Sequence, residues 1–493
     1  MPPKPLRLSK SRFTTGLQCH RQLWWKAHEP DAPELKPDAS LQAVFDIGNR
    51  VGERARQEFP GATLIDLDYR RLPAAIEATR KAIDAGASVI LEASFIEDKI
   101  FVAVDALSKE PGGWVVTEVK ATTKVKPQHI PDAAIQAQVV ERAGLPIARV
   151  ELMHLNRAHR HPDQGPLFTR ADITADVAAV REEVDQQARA QIRMLQGPLP
   201  EIEPGPHCTS PYICPFLARC NVPLPEHAIE DLHRISAKKL AELRDNGIET
   251  VDQIPSDFPL NGIQERHRAA VRQNEMLVEP GLRRALAAYR YPIAMLDFET
   301  IAPALPVWKG CSPFGKVPVQ FSVHMLGDNG EVAHHAYLAE GTGDPRPGVA
   351  EALARALDGA ATVLAWNAAF EKECLSILAE SSPTHATELI EARDKVEDLL
   401  VVVRNNLYHP EFRGSFSIKN VVPALLPDMA YDALEVSDGQ IASSLLERLL
   451  CRPGDSSADA RKALRGQLEA YCAHDTAVMV ELLQLLNEAA SAR

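Results

Sequence analysis

Six prolines crowd residues 196–215 and interrupt the chain near its middle. Since proline lacks a backbone N–H and has a fixed φ angle, neither a helix interior nor a central strand tolerates such a stretch. The chain has 493 residues, which at about 150 residues per domain is enough for roughly three domains. The sequence therefore predicts a domain boundary or an irregular metal-binding loop here, with separately folded regions on either side.

The composition is that of a globular protein, with 45% hydrophobic and 25% charged residues. No apolar run approaches the roughly 18 residues that cross a bilayer, and the N-terminus lacks the apolar core of a secretory signal. We therefore expect a cytoplasmic protein that does not bind membranes. The net charge of -13 disfavours indiscriminate binding to nucleic acid, although the segment before Glu29 is basic. That segment, which includes Lys4 and Lys10, is interpreted either as a phosphate-binding surface or as a solvated arm.

The pattern of apolar residues divides the chain into three regions. Alternating stretches predict strands within residues 1–225, and helical spacing predicts a small linker at 226–288. From 289 to 493, extended apolar stretches alternate with helices, as in an α/β domain. The segment 240–251 contains an Asp-Asn-Gly turn and resembles a helix-hairpin-helix, with a plain helical linker as the alternative. The fold class predicted for the whole chain is multidomain α/β.

A first group of polar residues lies on three successive strands predicted between residues 88 and 120. Asp105 closes the second strand, and Glu118 and Lys120 share one face of the third because strand side chains alternate. Two carboxylates can hold a divalent cation, and a nearby ammonium can position a water that attacks a phosphodiester. Gln136, on the following helix, is placed to orient substrate or water. The alternative interpretation is a structural cross-strand salt pair.

The order acid, strand turn, Glu-Val-Lys and helix with glutamine resembles the PD-(D/E)xK nuclease core, specifically RecB-like exonucleases and their CRISPR-associated relatives. The resemblance covers about residues 8–222. It implies a restriction-endonuclease-like fold that binds Mg²⁺ or Mn²⁺ through Asp105 and Glu118. The family places a metal-binding histidine where this chain has Gly52. Either Glu53 supplies that ligand or the site uses fewer protein ligands.

Four cysteines are candidate ligands of a second, softer metal. Cys208, Cys214 and Cys220 fall within the proline-rich region, and Cys19 is the natural remote fourth ligand. In the RecB-like subgroup, one cysteine before the nuclease core and three after it hold an iron–sulfur cluster. The resemblance thus implies a 4Fe-4S cluster, although the spacing between the first two trailing cysteines is longer than usual. A zinc site and buried free thiols are the alternatives.

A third group of residues lies in the C-terminal region. Asp297 and Glu299 share one face of a predicted strand, and Glu371 follows a second strand at the start of a helix. Tyr471 and Asp475 are four residues apart on a predicted helix and lie on one face of it. Four acids around two cations can activate a water and stabilise the leaving oxygen of a phosphodiester.

The motifs Asp-Phe-Glu, Asn-x-x-Phe-acid and Tyr-x3-Asp, in this order, resemble the tyrosine variant of the DEDD exonucleases, which have a ribonuclease H-like fold. These enzymes remove nucleotides from 3′ ends, and the tyrosine orients the water. Glu371 stands where the family usually has aspartate, and Asp398 is a competing third carboxylate. Several further segments resemble a family of uncharacterised bacterial proteins that fuse the two nuclease modules.

The sequence therefore predicts a two-site, metal-dependent nuclease whose partner is nucleic acid. DNA with single-stranded regions or ends is favoured as substrate, and RNA is the alternative. A nucleic-acid-binding scaffold in which one module has lost catalysis remains a hypothesis of a different class. The sequence names no protein partner.

Overall fold

The computed structural model of the protein describes residues 7–66, 71–221, 223–431, 434–436 and 438–492, so Lys4 lies outside the described residues. The chain forms two compact units. The first comprises Met1–Val222 together with Ala304–Gly315, and the second comprises Pro223–Pro303 together with Lys316–Arg493. Both contain sheets and helices, which confirms a mixed α/β protein. Across the described residues, no helix combines the length and the apolar character that crossing a membrane requires.

The first unit is built on a seven-stranded sheet in the order β2-β3-β4-β5-β6-β7, with β1 pairing in parallel with β4. Strands β3, β4 and β5 form an antiparallel meander, whereas β6 runs parallel to β5. The strands are β1 (Leu8–Ser9), β2 (Thr63–Leu64), β3 (Val89–Glu97), β4 (Ile100–Glu110), β5 (Gly113–Lys120), β6 (Ile147–Leu155) and β7 (Phe168–Asp172).

The long strand β4 differs from its sequence prediction. Alternate residues Ile100, Val102 and Val104 are buried in the core, as the period-two pattern requires. The strand continues for five residues past Asp105, since residues 106–110 pair with β5. Asp105 therefore lies in the middle of the strand rather than at its end.

The helices of the first unit lie around this sheet. The helix α5 connects β5 to the parallel strand β6, and most of its residues are buried. These helices are α1 (Lys10–Gln18), α2 (His20–His28), α3 (Ala39–Arg56), α4 (Leu72–Asp84), α5 (His129–Arg142), α6 (Thr174–Met194) and α7 (Leu217–Cys220).

A short segment from later in the chain belongs to the first unit. Ala304 is buried among Val51, Leu91 and Met153, and Cys311 O accepts a 2.9 Å hydrogen bond from His161 N. Residues 304–315 thus complete the core of the first unit, although they lie beyond the boundary at residue 289 that the sequence suggested.

The second unit contains a five-stranded mixed sheet in the order β11-β10-β9-β12-β13. Strand β10 is antiparallel to both of its neighbours, whereas β12 and β13 are parallel to β9. A two-stranded sheet joins β8 and β14. The strands are β8 (Leu277–Val278), β9 (Ile293–Ile301), β10 (Val317–Leu326), β11 (Val332–Leu338), β12 (Thr362–Ala365), β13 (Val396–Asp398) and β14 (Leu407–Tyr408).

The long C-terminal helix α17 packs on β9 and β10, where Met479 and Leu482 share a core with Met295. It begins at Ala458, where the Ser457 side chain caps its first turn. The helices of this unit are α8 (Ala237–Asp245), α9 (Gly262–Gln273), α10 (Leu282–Leu286), α11 (Arg346–Ala356), α12 (Ala368–Ser381), α13 (Ala386–Asp394), α14 (Leu399–Asn406), α15 (Ile418–Leu425), α16 (Gly439–Cys451) and α17 (Ala458–Ser491).

The segment that resembles a helix-hairpin-helix contains one α-helix rather than two. Helix α8 ends at Asp245, and after the Gly247 turn the chain forms only a three-residue 3₁₀ turn at Val251–Gln253. Prolines at 255 and 259 then keep the next helix from starting before Gly262. This geometry favours the plain helical linker.

Candidate metal centres

The C-terminal acids lie on the central strand of the second sheet. Along β9, Leu296 and Phe298 point into the core formed with α11 and α12, whereas Met295 points toward α17. Because side chains alternate, Asp297 and Glu299 also face α17. That helix carries Asp475, with Tyr471 one turn before it.

Asp297, Glu299 and Asp475 form a compact carboxylate group. One oxygen from each side chain lies within 4.8 Å of the others. Glu299 and Asp475 are buried, with 8% and 7% of their surface exposed, and Asp297 is partly buried. Three carboxylates this close repel one another, so without a cation to offset their charge they tend to retain protons.

The electrostatics of this group reflect burial and mutual repulsion. Burial and the neighbouring Asp475 raise the pKa of Glu299 to about 8. Burial likewise raises the pKa of Asp475 to about 6, against the hydrogen bond from Tyr431. The pKa of Asp297 is well above its ordinary value because of burial and repulsion from Asp475 and Glu299. Perturbed acids of this kind are typical of functional sites.

Three neighbours of this group were not assigned from the sequence as parts of a catalytic site. The Tyr431 hydroxyl donates a 2.5 Å hydrogen bond to Asp475 Oδ1, and Cys472 Sγ lies 3.5 Å from Asp297 Oδ2. The Lys419 ammonium lies 5.7 Å from the ring centre of Tyr471 and about as far from that of Tyr431. In the sequence, Lys419 can be recognised only as a basic residue able to bind a phosphate, and no motif marks Tyr431 or Cys472.

The other two predicted acids lie outside the compact group. Glu371 is in the first turn of α12 and only 2% exposed, and its Oε2 has no hydrogen-bond partner. It lies close enough to Asp297 to contribute to the raised pKa of that group. Asp398 caps α14, and its carboxylate accepts hydrogen bonds from the backbone N–H groups of Asn367, Ala368 and Val401. The structure thus gives Asp398 a structural role.

The donor set on β9 and α17 fits a hard divalent cation. Carboxylate oxygens are the ligands that Mg²⁺ and Mn²⁺ prefer, and three of them converge here. The unpartnered oxygen of Glu371 adds a buried acceptor nearby. A bound cation would offset the repulsion that raises the pKa values of these acids.

A second group of acids and a histidine lies beside an arginine that already offsets its negative charge. Glu226, His227 and Glu411 each bring one ligand atom within 4.8 Å of the others. The Arg413 guanidinium, however, lies 3.6 Å from Glu226 and 3.1 Å from Glu411. This group is therefore a surface ion-pair network.

In the first unit, Glu118 is the centre of a dense polar cluster. It is 1% exposed, and Lys120 Nζ lies 2.7 Å from its Oε1. Gln136 Nε2 donates to its Oε2 at 2.7 Å, so Gln136 positions Glu118. Lys10 Nζ lies 2.9 Å from Oε1 and 3.0 Å from Oε2. Asp132, the other partner of Lys120, lies 2.5 Å from its ammonium.

Neither Lys10 nor Asp132 was assigned to this site from the sequence. The basic N-terminal segment suggested only a solvated arm or a phosphate contact, and no local pattern links Lys10 to a strand 108 residues later. Asp132 lies in the first turn of α5, outside the Glu-Val-Lys motif. Contacts between distant segments bring both residues into the site.

Asp105 borders an open cavity beside this cluster. Its Oδ2 accepts a 2.7 Å hydrogen bond from Val119 N. The cavity, of about 360 Å³, is also lined by Gly52, Glu53 and Glu92. Gly52 and Glu53 thus line the same cavity as Asp105. Glu92 has a left-handed backbone with φ of 58°, a strained conformation that occurs often at functional sites.

The charges of the first cluster act on each other. Burial and the neighbouring Glu118 raise the pKa of Asp105 to about 7. Burial alone would raise the pKa of Glu118, but Lys10 and Lys120 outweigh it and hold that pKa below its ordinary value. Glu118 is therefore an ionised carboxylate fixed by two ammonium groups.

The four predicted cysteines line one small cavity of the first unit. Burial raises the pKa of Cys214, and the other three thiols add to the shift, so all four are close together. Tetrahedral zinc would need sulfur atoms about 3.8 Å apart. Among the described residues, no three of these sulfur atoms lie within 4.8 Å of one another. The spacing is therefore wider than a zinc tetrahedron.

Comparison with known proteins gives limited information. A family model described as a domain of unknown function (DUF2779) matches residues 294–417, a span that includes Asp297, Glu299 and Glu371 but ends before Asp475. No curated protein matches the chain. The chain is similar to the solved structure titled "Crystal structure of SSO0001", with 13% identity and a TM-score of 0.25, over 46% of this chain and 91% of that chain. At this TM-score the similarity supports no inference about activity.

Proposed function

We propose that the protein is a metal-dependent nuclease that hydrolyses phosphodiester bonds of DNA. The observation that carries the proposal is the convergence of Asp297, Glu299 and Asp475, which lie far apart in the sequence, within 4.8 Å of one another. Their raised pKa values give the unligated site an energetic reason to bind a cation.

The topology of the second sheet supports a ribonuclease H-like module of the DEDD type. Numbered along the chain from β9, the strands take the order 3-2-1-4-5, and the second strand is antiparallel to the rest. The acids lie on the first strand and on a helix packed against it. This arrangement, together with the Tyr-x3-Asp motif, favours trimming from 3′ ends.

Each residue of the site has a role in this proposal. Asp297, Glu299 and Asp475 would hold Mg²⁺ or Mn²⁺, which would supply an activated water and charge stabilisation for the leaving oxygen. Tyr471 orients the water. Glu371 is a further buried acid, close enough to interact with the charge of Asp297 and with one unpartnered oxygen.

The first unit is proposed to be a RecB-like, restriction-endonuclease-like module. Three observations support this: the meander β3-β4-β5 is followed by helix α5 and the parallel strand β6, Lys120 contacts Glu118, and Asp105 is close enough to Glu118 for the two charges to interact. Glu53 is the proposed substitute for the missing histidine because it lines the same cavity as Asp105.

The four cysteines are proposed to hold a 4Fe-4S cluster. Their wider-than-tetrahedral spacing favours a cluster over a single zinc ion. Cys19 follows α1, and the other three lie near the end of the first unit. A cluster here would tie these two segments together and stabilise the module.

The substrate proposal is DNA with single-stranded regions or ends, in a cytoplasmic setting. RNA is the alternative, because nothing in the site distinguishes a 2′-hydroxyl. One observation favours the alternative in which the first unit binds nucleic acid without cleaving it. Lys10 contacts both oxygens of Glu118, which is a proposed metal ligand.

The test is digestion of 5′-labelled and 3′-labelled single strands of DNA and RNA, with Mn²⁺ or Mg²⁺ and with EDTA. We expect stepwise, metal-dependent shortening from the 3′ end that Asp297→Asn abolishes. The matched control is Asp394→Asn, at an aspartate that is 65% exposed, which should digest like the wild type. Equal digestion by Asp297→Asn would refute the proposal, and Glu118→Gln reports the contribution of the first unit.

A further inference from the structure

Lys10 contacts both oxygens of Glu118. Its ammonium lies 2.9 Å from Oε1 and 3.0 Å from Oε2. Glu118 is 1% exposed, so water offers no competing solvation. The contact is a bidentate, desolvated ion pair.

The remaining acceptor positions of Glu118 are also in use. A carboxylate has two oxygens and about four lone-pair directions. Lys10 takes one on each oxygen, Lys120 takes one on Oε1, and Gln136 takes one on Oε2. Glu118 in this arrangement therefore has no lone pair to offer a metal ion, so the donor set does not fit a bound cation as it stands.

The backbone that carries Lys10 is firmly placed. Strand β1 pairs Leu8 with Ile100 and Ser9 with Phe101, and the Ser9 hydroxyl caps α1. Phe13, one turn later, is fully buried. The Lys10 side chain itself remains 24% exposed, so it can leave Glu118 by a rotamer change without unfolding α1.

We propose that Lys10 is an internal competitor for the divalent cation at the Asp105 and Glu118 site. The proposal rests on the proposed nuclease function of the first unit, because it concerns how that unit acquires its metal. With Lys10 in place, Glu118 is neutralised by the chain itself. Withdrawal of Lys10 frees one acceptor position on each oxygen of Glu118, and the site then binds Mg²⁺ or Mn²⁺.

The test is Mn²⁺ binding by the full-length protein, measured by calorimetry and by the electron paramagnetic resonance signal of free Mn²⁺. The background carries Asp297→Asn and Glu299→Gln, which removes the C-terminal centre. Onto it we add Lys10→Met, which removes the ammonium, or Lys10→Arg, which keeps a positive charge. The matched control is Lys81→Met, at a lysine that is 75% exposed.

We expect Lys10→Met to raise Mn²⁺ affinity at least about tenfold, because it removes a unit charge from within 3 Å of the ligand oxygens. Lys10→Arg and Lys81→Met should leave the affinity unchanged. The gain should disappear when Glu118→Gln is added to Lys10→Met, which assigns the new binding to Glu118.

Unchanged or weaker binding by Lys10→Met would overturn the proposal, as would a gain that survives Glu118→Gln. Should Lys10→Met fold poorly, Lys10→Gln is the second variant, since its amide can still donate to one oxygen; it must give an intermediate gain. Because the assay measures metal binding at Glu118, its failure is distinguishable from failure of the nuclease function, which strand digestion tests at Asp297.

Discussion

Replacing Glu299 with glutamine is expected to stabilise the metal-free protein while removing its response to metal. Burial and repulsion raise the pKa of Glu299 from 4.5 to about 8. The folded carboxyl therefore keeps its proton at pH 7, whereas the unfolded one is ionised. Its contribution to stability is full below about pH 4.5 and is lost as the pH rises through about 8.

The size of the effect follows from the same pKa values. Between 4.5 and pH 7 lie about 2.5 pH units, each costing about 1.4 kcal/mol, so proton uptake costs about 3 kcal/mol at pH 7. Glutamine does not titrate and avoids this cost. Glu299→Gln should thus raise the free energy of unfolding at pH 7 by up to about 3 kcal/mol in EDTA, and by less than about 1 kcal/mol at pH 5.

The assay is urea unfolding in EDTA at pH 5, 7 and 8, repeated with Mn²⁺. Mn²⁺ should stabilise the wild type more at pH 8 than at pH 5, because protons compete for the carboxylates, and should leave Glu299→Gln almost unchanged. Glu481→Gln, at an exposed position of helix α17, is the control. A destabilised Glu299→Gln in EDTA at pH 7, or a gain that does not depend on pH, would refute the reasoning.

Three further predictions concern other parts of the chain. Tyr431→Phe removes the 2.5 Å hydrogen bond that favours ionised Asp475, so the acidic limb of the pH–rate profile should move up by about one pH unit. Cys214→Ser should remove the iron–sulfur absorbance of the purified protein; a colourless wild type would contradict the cluster. Gly414→Ala should lower the free energy of unfolding by more than about 2 kcal/mol in urea titrations, because φ is +73° and a Cβ would lie 1.6 Å from Asp231 O.

Local periodicity was sufficient to predict which side chains lie together when both belong to the same strand or helix. The alternation along β9 places Asp297 and Glu299 on one face, and helical spacing places Tyr471 beside Asp475. Predicting such positions requires only the repeat of the strand or helix, and not how that element packs against its neighbours. The mixed α/β character of both units follows from the same patterns, and the structure confirms it.

Contacts between residues that are far apart in the sequence could not be predicted in the same way. The contact of Tyr431 with Asp475 spans 44 residues, and that of Lys10 with Glu118 spans 108. Both depend on how whole elements pack, which no short motif encodes. For the same reason, the sequence could not decide between Glu371 and Asp398, because the choice depends on where α12 and β13 lie relative to β9.

The proposed metal site on β9 and α17 is tested most directly by anomalous scattering from crystals of the protein grown with Mn²⁺. We predict a Mn²⁺ peak about 2.0–2.3 Å from oxygens of Asp297, Glu299 and Asp475, which Glu299→Gln weakens or removes. No peak at this group at saturating Mn²⁺, or an equal peak in Glu299→Gln, would contradict the account.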